Sequence, residues 1–270
     1  MRVFIFSALL LCFCGYAQVS GTNLVEYQFG KLPNANENSF HGVYSKPVIH
    51  YRLNKFKATA GLQFYQSPFS ERNYTDLSWL GLNYKNKGWD ISLGNFNSTL
   101  ERGILLRSYE IQGALLEDLS YRGKYYFYRD VLGASVGFKR KKFSVRAIWG
   151  HTLNNVFPPS RAFEDRRTDE IFTVTTSLKM HGQSIGISAI RIKNEVENSY
   201  YGASHLSGNI TSSLAYYISY AKNLNDPAAS RDSYALYGSL NYALKSFGLS
   251  AEWKNYENFV LGSGINEPPA

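Results

Sequence analysis

Apolar and polar side chains alternate strictly, in segments of about ten residues, along most of this chain. In Phe172 to Met180 one face carries Phe172, Val174, Leu178 and Met180, and the other Thr173, Thr175, Ser177 and Lys179. Tyr234, Leu236, Leu240, Tyr242 and Leu244 oppose Ser239 and Asn241 in the same way, and Phe247, Leu249, Ala251 and Trp253 oppose Gly248, Ser250, Glu252 and Lys254. A side-chain period of two belongs to a strand with one apolar face, and about ten residues let a tilted strand cross the hydrocarbon of a bilayer. Aromatic residues make up 16% of the chain, with 21 Tyr and 17 Phe, which is heavy for a soluble domain. It suits a transmembrane barrel, whose two interfaces carry aromatic girdles and whose polar lumen lowers the average hydropathy. The pattern therefore predicts an all-β fold, an antiparallel transmembrane β-barrel. A soluble two-sheet sandwich also alternates, but its strands average nearer six residues and it needs no aromatic excess.

The N-terminus reads as a secretory signal. Arg2 supplies a positive start, Val3 to Phe13 form an apolar run too short for a bilayer-spanning helix, and Gly15-Tyr16-Ala17 places small residues at −3 and −1 of a cleavage site. The expectation is a signal peptide at 1–17, cut between Ala17 and Gln18, followed by one barrel domain at 18–270 in the cell outer membrane. A lipidated start does not fit: Cys12 follows a run of leucines and Cys14 follows Phe13, where a lipobox requires a small residue. Both cysteines lie within the signal, so the mature chain has no disulfide, thiolate metal site or cysteine nucleophile.

Tight turns fall at Asn54-Lys55, Asn86-Lys87-Gly88, Arg140-Lys141-Lys142, His181-Gly182, Ser207-Gly208-Asn209 and Lys245-Ser246. Longer polar connections fall between them, at Ser67 to Asn73, Thr152 to Asp169, Asn194 to Ser199 and Asn223 to Asp232. Barrels of this kind have short periplasmic turns and long external loops, which puts the tight turns in the periplasm. Two connections break the scheme: Arg129-Asp130 becomes a tight external turn, and Ile111 to Asp118 a longer internal link. The pattern predicts about fifteen strands, from Leu24–Gly30 to Phe247–Phe259, an odd count that leaves an edge unpaired. Asn266-Glu267-Pro268-Pro269-Ala270 cannot continue a ladder, because proline has no N–H to donate. Residues 1–270 are therefore expected to be the N-terminal part of a longer barrel, unable to close alone.

The net charge is +8, or +7 without Arg2, and Lys and Arg are spread one or two per strand or turn rather than gathered in a patch. That distribution reads as a lumen and rims with a mild positive bias, and no nucleic-acid module or phosphate-cradling glycine motif accompanies it. His205-Leu206-Ser207 puts a histidine and a serine on one face, faintly like the nucleophile arrangement of outer-membrane phospholipases, but no acid or amide partner is identifiable. Glu164-Asp165 and Asp169-Glu170 could hold Ca²⁺, yet Arg161, Arg166 and Arg167 are interleaved with them, as in a solvated loop. His41, His50, His151, His181 and His205 show no spacing suited to a metal. No catalytic residue, metal or cofactor is expected.

Gly94-Asn95-Phe96 followed by Glu101-Arg102-Gly103-Ile104-Leu105-Leu106-Arg107-Ser108-Tyr109-Glu110 resembles a segment of a family of Bacteroidota outer-membrane β-barrels of unknown function, with Glu117-Asp118 and Gly123 where that family has an acidic residue and a glycine. The resemblance covers under a fifth of the chain. It implies a barrel longer than this sequence, with no known catalytic residues. On a regular strand, Glu101 and Arg107 share one face while Arg102 and Glu110 share the other. One pair would then meet lipid, at about 2–4 kcal/mol per charge near the midplane. A bulge, or a fold of the segment into the lumen, would relieve this. Glu101, Arg102, Arg107 and Glu110 are thus a candidate lumenal charge cluster, either a selectivity constriction or a salt-bridge network bracing the wall. The functional expectation is a passive channel for small solutes. The alternatives are a non-enzymatic structural or assembly partner of an envelope complex and, third, a lipase-like barrel enzyme. Expected partners are outer-membrane lipid and the barrel-assembly machinery, with no nucleic acid.

Overall fold

A computed structural model describes residues 17–31, 40–67, 73–117, 124–153, 167, 169–225 and 233–262. Residues 1–16 of the expected signal at 1–17, the acidic loop at Glu164-Asp165 with Arg161 and Arg166, Asp118, Gly123 and Pro268-Pro269 lie outside these residues. Among the described residues there are seventeen strands and one 3₁₀ turn. Among the described residues no helix is long and apolar enough to cross a membrane.

Thirteen strands form one continuous antiparallel sheet. They are β1 (Ala17–Gly30), β2 (Phe40–Leu53), β3 (Phe56–Gln66), β4 (Tyr74–Asn86), β5 (Trp89–Phe96), β10 (Val131–Arg140), β11 (Phe143–Thr152), β12 (Asp169–Met180), β13 (Gln183–Lys193), β14 (Asn198–Asn209), β15 (Leu214–Asn223), β16 (Tyr234–Ala243) and β17 (Gly248–Glu257). Four short strands stand outside that wall: β6 (Thr99–Leu100) pairs β7 (Leu106–Arg107), and β8 (Tyr109–Glu117) pairs β9 (Lys124–Arg129). The wall is a single layer, so the two-sheet sandwich is excluded. Its edges are β1 and β17, which do not pair with each other, so the sheet is not closed.

The alternation read from the sequence is the division between the two faces of this wall. Ile185 and Ile187 of β13 are 53% and 64% exposed, while Ser188 and Ile190 are 1% exposed. Phe172, Val174 and Leu178 of β12 project outward, as do Ile218 of β15 and Leu240 of β16, whereas Thr173, Ser219 and Ser239 are buried inside. Large apolar side chains outside and small or polar ones inside invert the arrangement of a soluble protein, and fit a wall with lipid outside.

The connections sort by end. The hairpins β2–β3, β4–β5, β10–β11 and β12–β13 close through two residues each. Lys87 and Gly88 (φ 45° and 94°) and His181 and Gly182 (φ 48° and 80°) take the left-handed conformation at both turn positions, which matches the twist of paired strands. Every long connection lies at the opposite end. The two exceptions in the sequence scheme disappear, because neither Arg129-Asp130 nor Ile111 to Asp118 connects wall strands. Phe96 of β5 pairs directly with Val131 of β10, and everything between is an insertion. One turn is corrected. Ser207-Gly208-Asn209 is not a turn but the end of β14, where Gly208 pairs with Gln183 and Asn209 with Ala215. Gly208 leaves room for the Gln183 side chain, which lies where a Cβ would stand. The turn follows at 210–213, where the Thr211 hydroxyl accepts from the Ser213 and Leu214 N–H groups.

Candidate functional site

The insertion between β5 and β10 runs inside the curl of the wall as a strap. At its start, Glu101, Arg102 and Gly103 form the 3₁₀ turn. Glu101 and Arg102 have φ of 51° and 52°, and Gly103 has φ of 102°. Two consecutive charged residues in the left-handed region are strained by roughly 1–2 kcal/mol each, and such strain persists only where the surroundings over-determine it. Here the surroundings are the inner face of β13–β16.

The Glu101 carboxylate is 7% exposed and accepts from four side chains. Ser188 Oγ of β13 donates at 2.5 Å, Tyr217 Oη of β15 at 2.9 Å and Ser219 Oγ of β15 at 3.3 Å. His205 Nδ1 of β14 stands 2.9 Å from Oε2 and 3.1 Å from Oε1. Burial alone would push this carboxyl up, but the hydrogen bonds from His205 and Ser188, the His205 charge and the bond from Tyr217 outweigh it and hold the carboxyl below its ordinary value. The His205 imidazole lies flat over Gly186, where a Cβ would come within 2.2 Å of the ring. On its other side it stacks with Tyr217, with centroids 5.7 Å apart. Arg102 turns the opposite way: its guanidinium sits 4.1 Å from the Tyr217 ring centroid, a cation–π distance, and Nη1 donates to Ser239 Oγ of β16 at 2.7 Å.

Beyond this anchor the strap becomes apolar. Ile104, Leu105 and Leu106 are 0–1% exposed and pack against Ile148, Ile190, Ala203 and Tyr237 in a dry core on the inner face of β10–β16. Ser108 Oγ donates to the Arg129 carbonyl at 2.7 Å, tying the outgoing and returning limbs. At the returning base, buried Asp130 takes Arg167 Nη2 at 2.7 Å and 2.9 Å.

The far end reaches β2. Glu110 Oε1 accepts from Lys46 Nζ at 2.9 Å, with the lysine side chain 8% exposed. Lys46 precedes Pro47, and the ladder from β2 to β3 lapses at just these two residues. Nine residues separate Glu101 from Glu110, a reach of no more than about 32 Å. The strap thus bridges β2 and β13–β16, stretches far apart in strand order, as it would across the interior of a barrel wall. The wall is curled into a barrel segment and the strap spans it.

The four candidate charges do not form one cluster. Glu101 and Arg102 lock into β13–β16, Glu110 pairs with Lys46 on the other side, and the Arg107 guanidinium lies 4.7 Å from the Tyr109 ring centroid. The shared-face expectation fails because residues 101–103 are a turn, not a strand. Sequence reasoning missed Ser188, Tyr217, Ser219, Ser239 and Lys46 as partners, and it left His205 without an acid. The acid is Glu101, 104 residues earlier. Even so, the serines and the imidazole all converge on the carboxylate. A nucleophilic relay needs a serine donating to the imidazole, so this wiring anchors a chain rather than activating a hydroxyl. Among the described residues no group of three or more His, Cys, Asp or Glu side chains is placed to hold a metal ion.

No family model and no curated protein matches the sequence. Solved structures do. Pseudomonas aeruginosa OpdQ is 10% identical, covering 88% of this chain and 65% of its own, with a TM-score of 0.51. Pseudomonas aeruginosa OccK11 (OpdR) is 12% identical over 88% of this chain and 62% of its own, with a TM-score of 0.48. OmpT, an outer membrane protein of Vibrio cholerae in its trimer form, is 13% identical over 93% of both chains, with a TM-score of 0.40. At such identities the likeness to OpdQ concerns the fold alone: this chain has the wall of an antiparallel transmembrane β-barrel.

Proposed function

We propose that the chain is an outer-membrane β-barrel acting as a passive channel for small solutes, with the strap narrowing its bore. The observation that carries this reading is that the strap crosses the interior and is fixed on both sides, at Glu101 and at Glu110. Below it, toward the tight turns, lies a cavity of about 770 Å³ lined by both the strap and the wall, the arrangement of a vestibule under a constriction. In this reading outer-membrane lipid covers the apolar face, and the envelope's barrel-assembly machinery inserts the chain. Membership of the Bacteroidota barrel family belongs to the same proposal.

A second reading, a structural or assembly partner in an envelope complex, draws on the dry packing of Ile104, Leu105 and Leu106, which fills the interior along β10–β16. Protein extracted from its native membrane and placed in a planar bilayer separates the two. Discrete conductance steps that enlarge when residues 98–129 are replaced by a short turn support the channel. A bilayer that stays silent after verified insertion overturns it and favours the structural reading. For the orientation, a tag in the loop from Thr152 to Asp169 is expected to be labelled by antibody on intact cells, and one at His181-Gly182 is not; the reverse pattern would invert the topology.

A further inference from the structure

We propose that the tight-turn half of the interior is an anion site, selecting small soluble oxyanions such as phosphate or carboxylates. This deepens the channel reading and rests on it for transport, though not for binding. In the sequence the cations are scattered about one per strand. The register of the wall gathers them. On the inner face Arg52 of β2 stands directly opposite Lys57 of β3. Two strands on, Lys85 of β4 is opposite Asp90 of β5, Asp90 is opposite Gly137, and Gly137 is opposite Arg146 of β11. A Cβ at Gly137 would lie 3.3 Å from Arg146 Nε, so the glycine gives the guanidinium its room.

The vestibule and a neighbouring cavity of about 590 Å³ share Lys85, and together they are lined by eight Lys or Arg residues against two carboxylates. Both carboxylates are already engaged. Asp90 lies 3.0 Å from Lys85 Nζ and 3.8 Å from Arg146 Nη2, and it accepts from Asn83 Nδ2 at 2.9 Å. Glu101 has its four donors on β13, β14 and β15. The cation excess is therefore left to the cavity. Like charges directly opposite one another on a sheet face, as Arg52 and Lys57 are, destabilise it. A bound anion relieves that repulsion, and a positively lined cleft with low-dielectric walls concentrates anions.

The test uses two measurements on native protein in uncharged detergent and in planar bilayers. The first is phosphorus NMR line broadening of inorganic phosphate, and the second is the reversal potential in a potassium chloride gradient. The inner variant carries Arg52→Gln, Lys57→Gln and Lys139→Gln, none of which pairs with Asp90. The outer control carries Lys31→Gln, Lys193→Gln and Lys222→Gln, removing the same charge at the opposite end. Wild-type protein is expected to broaden the phosphate line and to prefer chloride. The inner variant is expected to lose roughly tenfold in affinity, and the control to be unchanged. No broadening by wild-type protein, or equal loss in the control, overturns the anion site. Broadening without conductance keeps the site and overturns the channel. Conductance that prefers potassium, without broadening, keeps the channel and overturns the site.

Discussion

The two ends of the strap are held by different chemistry. At Glu101 a buried carboxylate gathers two serines, a tyrosine and a histidine from three consecutive strands, with Arg102 adding a fourth strand beside it. At Glu110 a lysine of β2 meets a carboxylate whose side chain is 31% exposed. Several donors arranged around one anion share its charge. An ion pair must offset the desolvation of both its members. The first end is also where the backbone is bent into the left-handed region, so that end sets the strap's position and the other steadies it.

The largest effect is expected from Glu101→Ala. It leaves four donors facing a hole and removes what holds the strained turn, at about 3–5 kcal/mol, or roughly a two- to four-order-of-magnitude loss of protection. Trypsin cleavage after Arg102 and Arg107 in detergent-solubilised protein is the readout, and unchanged protection would break the comparison. Lys46→Met acts at the other end. It removes the ion pair from a Glu110 with partial access to water, so about 1–3 kcal/mol is expected. Cleavage after Arg107 should rise while Arg102 stays shielded, and equal exposure of both sites would mean that the strap moves as one body.

Gly186→Ala sharpens the assignment at the strong end. The new methyl meets the imidazole and displaces His205 without touching the strap, so the cost is one charge-assisted hydrogen bond, about 1.5–3 kcal/mol at most. Wild-type protection after His205→Ala would show that the imidazole contributes nothing. The smallest effect concerns pH. The Glu101 carboxyl lies below its ordinary value in the folded state. Its stabilisation is therefore fully present above the unfolded carboxylate pKa of about 4.3, and is lost only as pH falls through the lower folded value. Protection measured with an acid-tolerant protease should stay flat from neutral pH to about 5 and decline below 4. A decline that sets in well above pH 5 would overturn this assignment.

The wall was legible in the sequence because its signal is local. Phe172, Val174 and Leu178 announce their face within one strand, and His181-Gly182 announces its turn in two residues. The insertion was legible as a violation: Arg129-Asp130 and Ile111 to Asp118 broke the alternation of short and long connections, and Glu101 to Glu110 put charges on both faces. What the sequence could not supply was where the violation leads. Ser188, His205 and Tyr217 are unremarkable inward positions of three strands, and only the register sets them around one carboxylate. The same holds for Arg52, Lys57, Lys85 and Arg146, which look dispersed along the chain and converge only when strands are placed side by side. Gly208 misled for the opposite reason, since a glycine beside an asparagine reads as a turn even where it serves a close side-chain approach.

The long reach of the Glu101 contacts also sets an order of events in time. Wall hairpins such as β12–β13 join residues 3 to 23 positions apart, whereas Glu101 meets partners 87 to 118 residues away and Arg102 meets one 137 away. Closing loops of that length carries an entropic penalty that must be met before any contact rewards it, and chains dominated by distant pairings fold slowly. The strap cannot find its seat until β13, β14, β15 and β16 stand in register, so hairpin assembly comes first and strap docking last. Until then the wall encloses an interior that the strap has yet to fill.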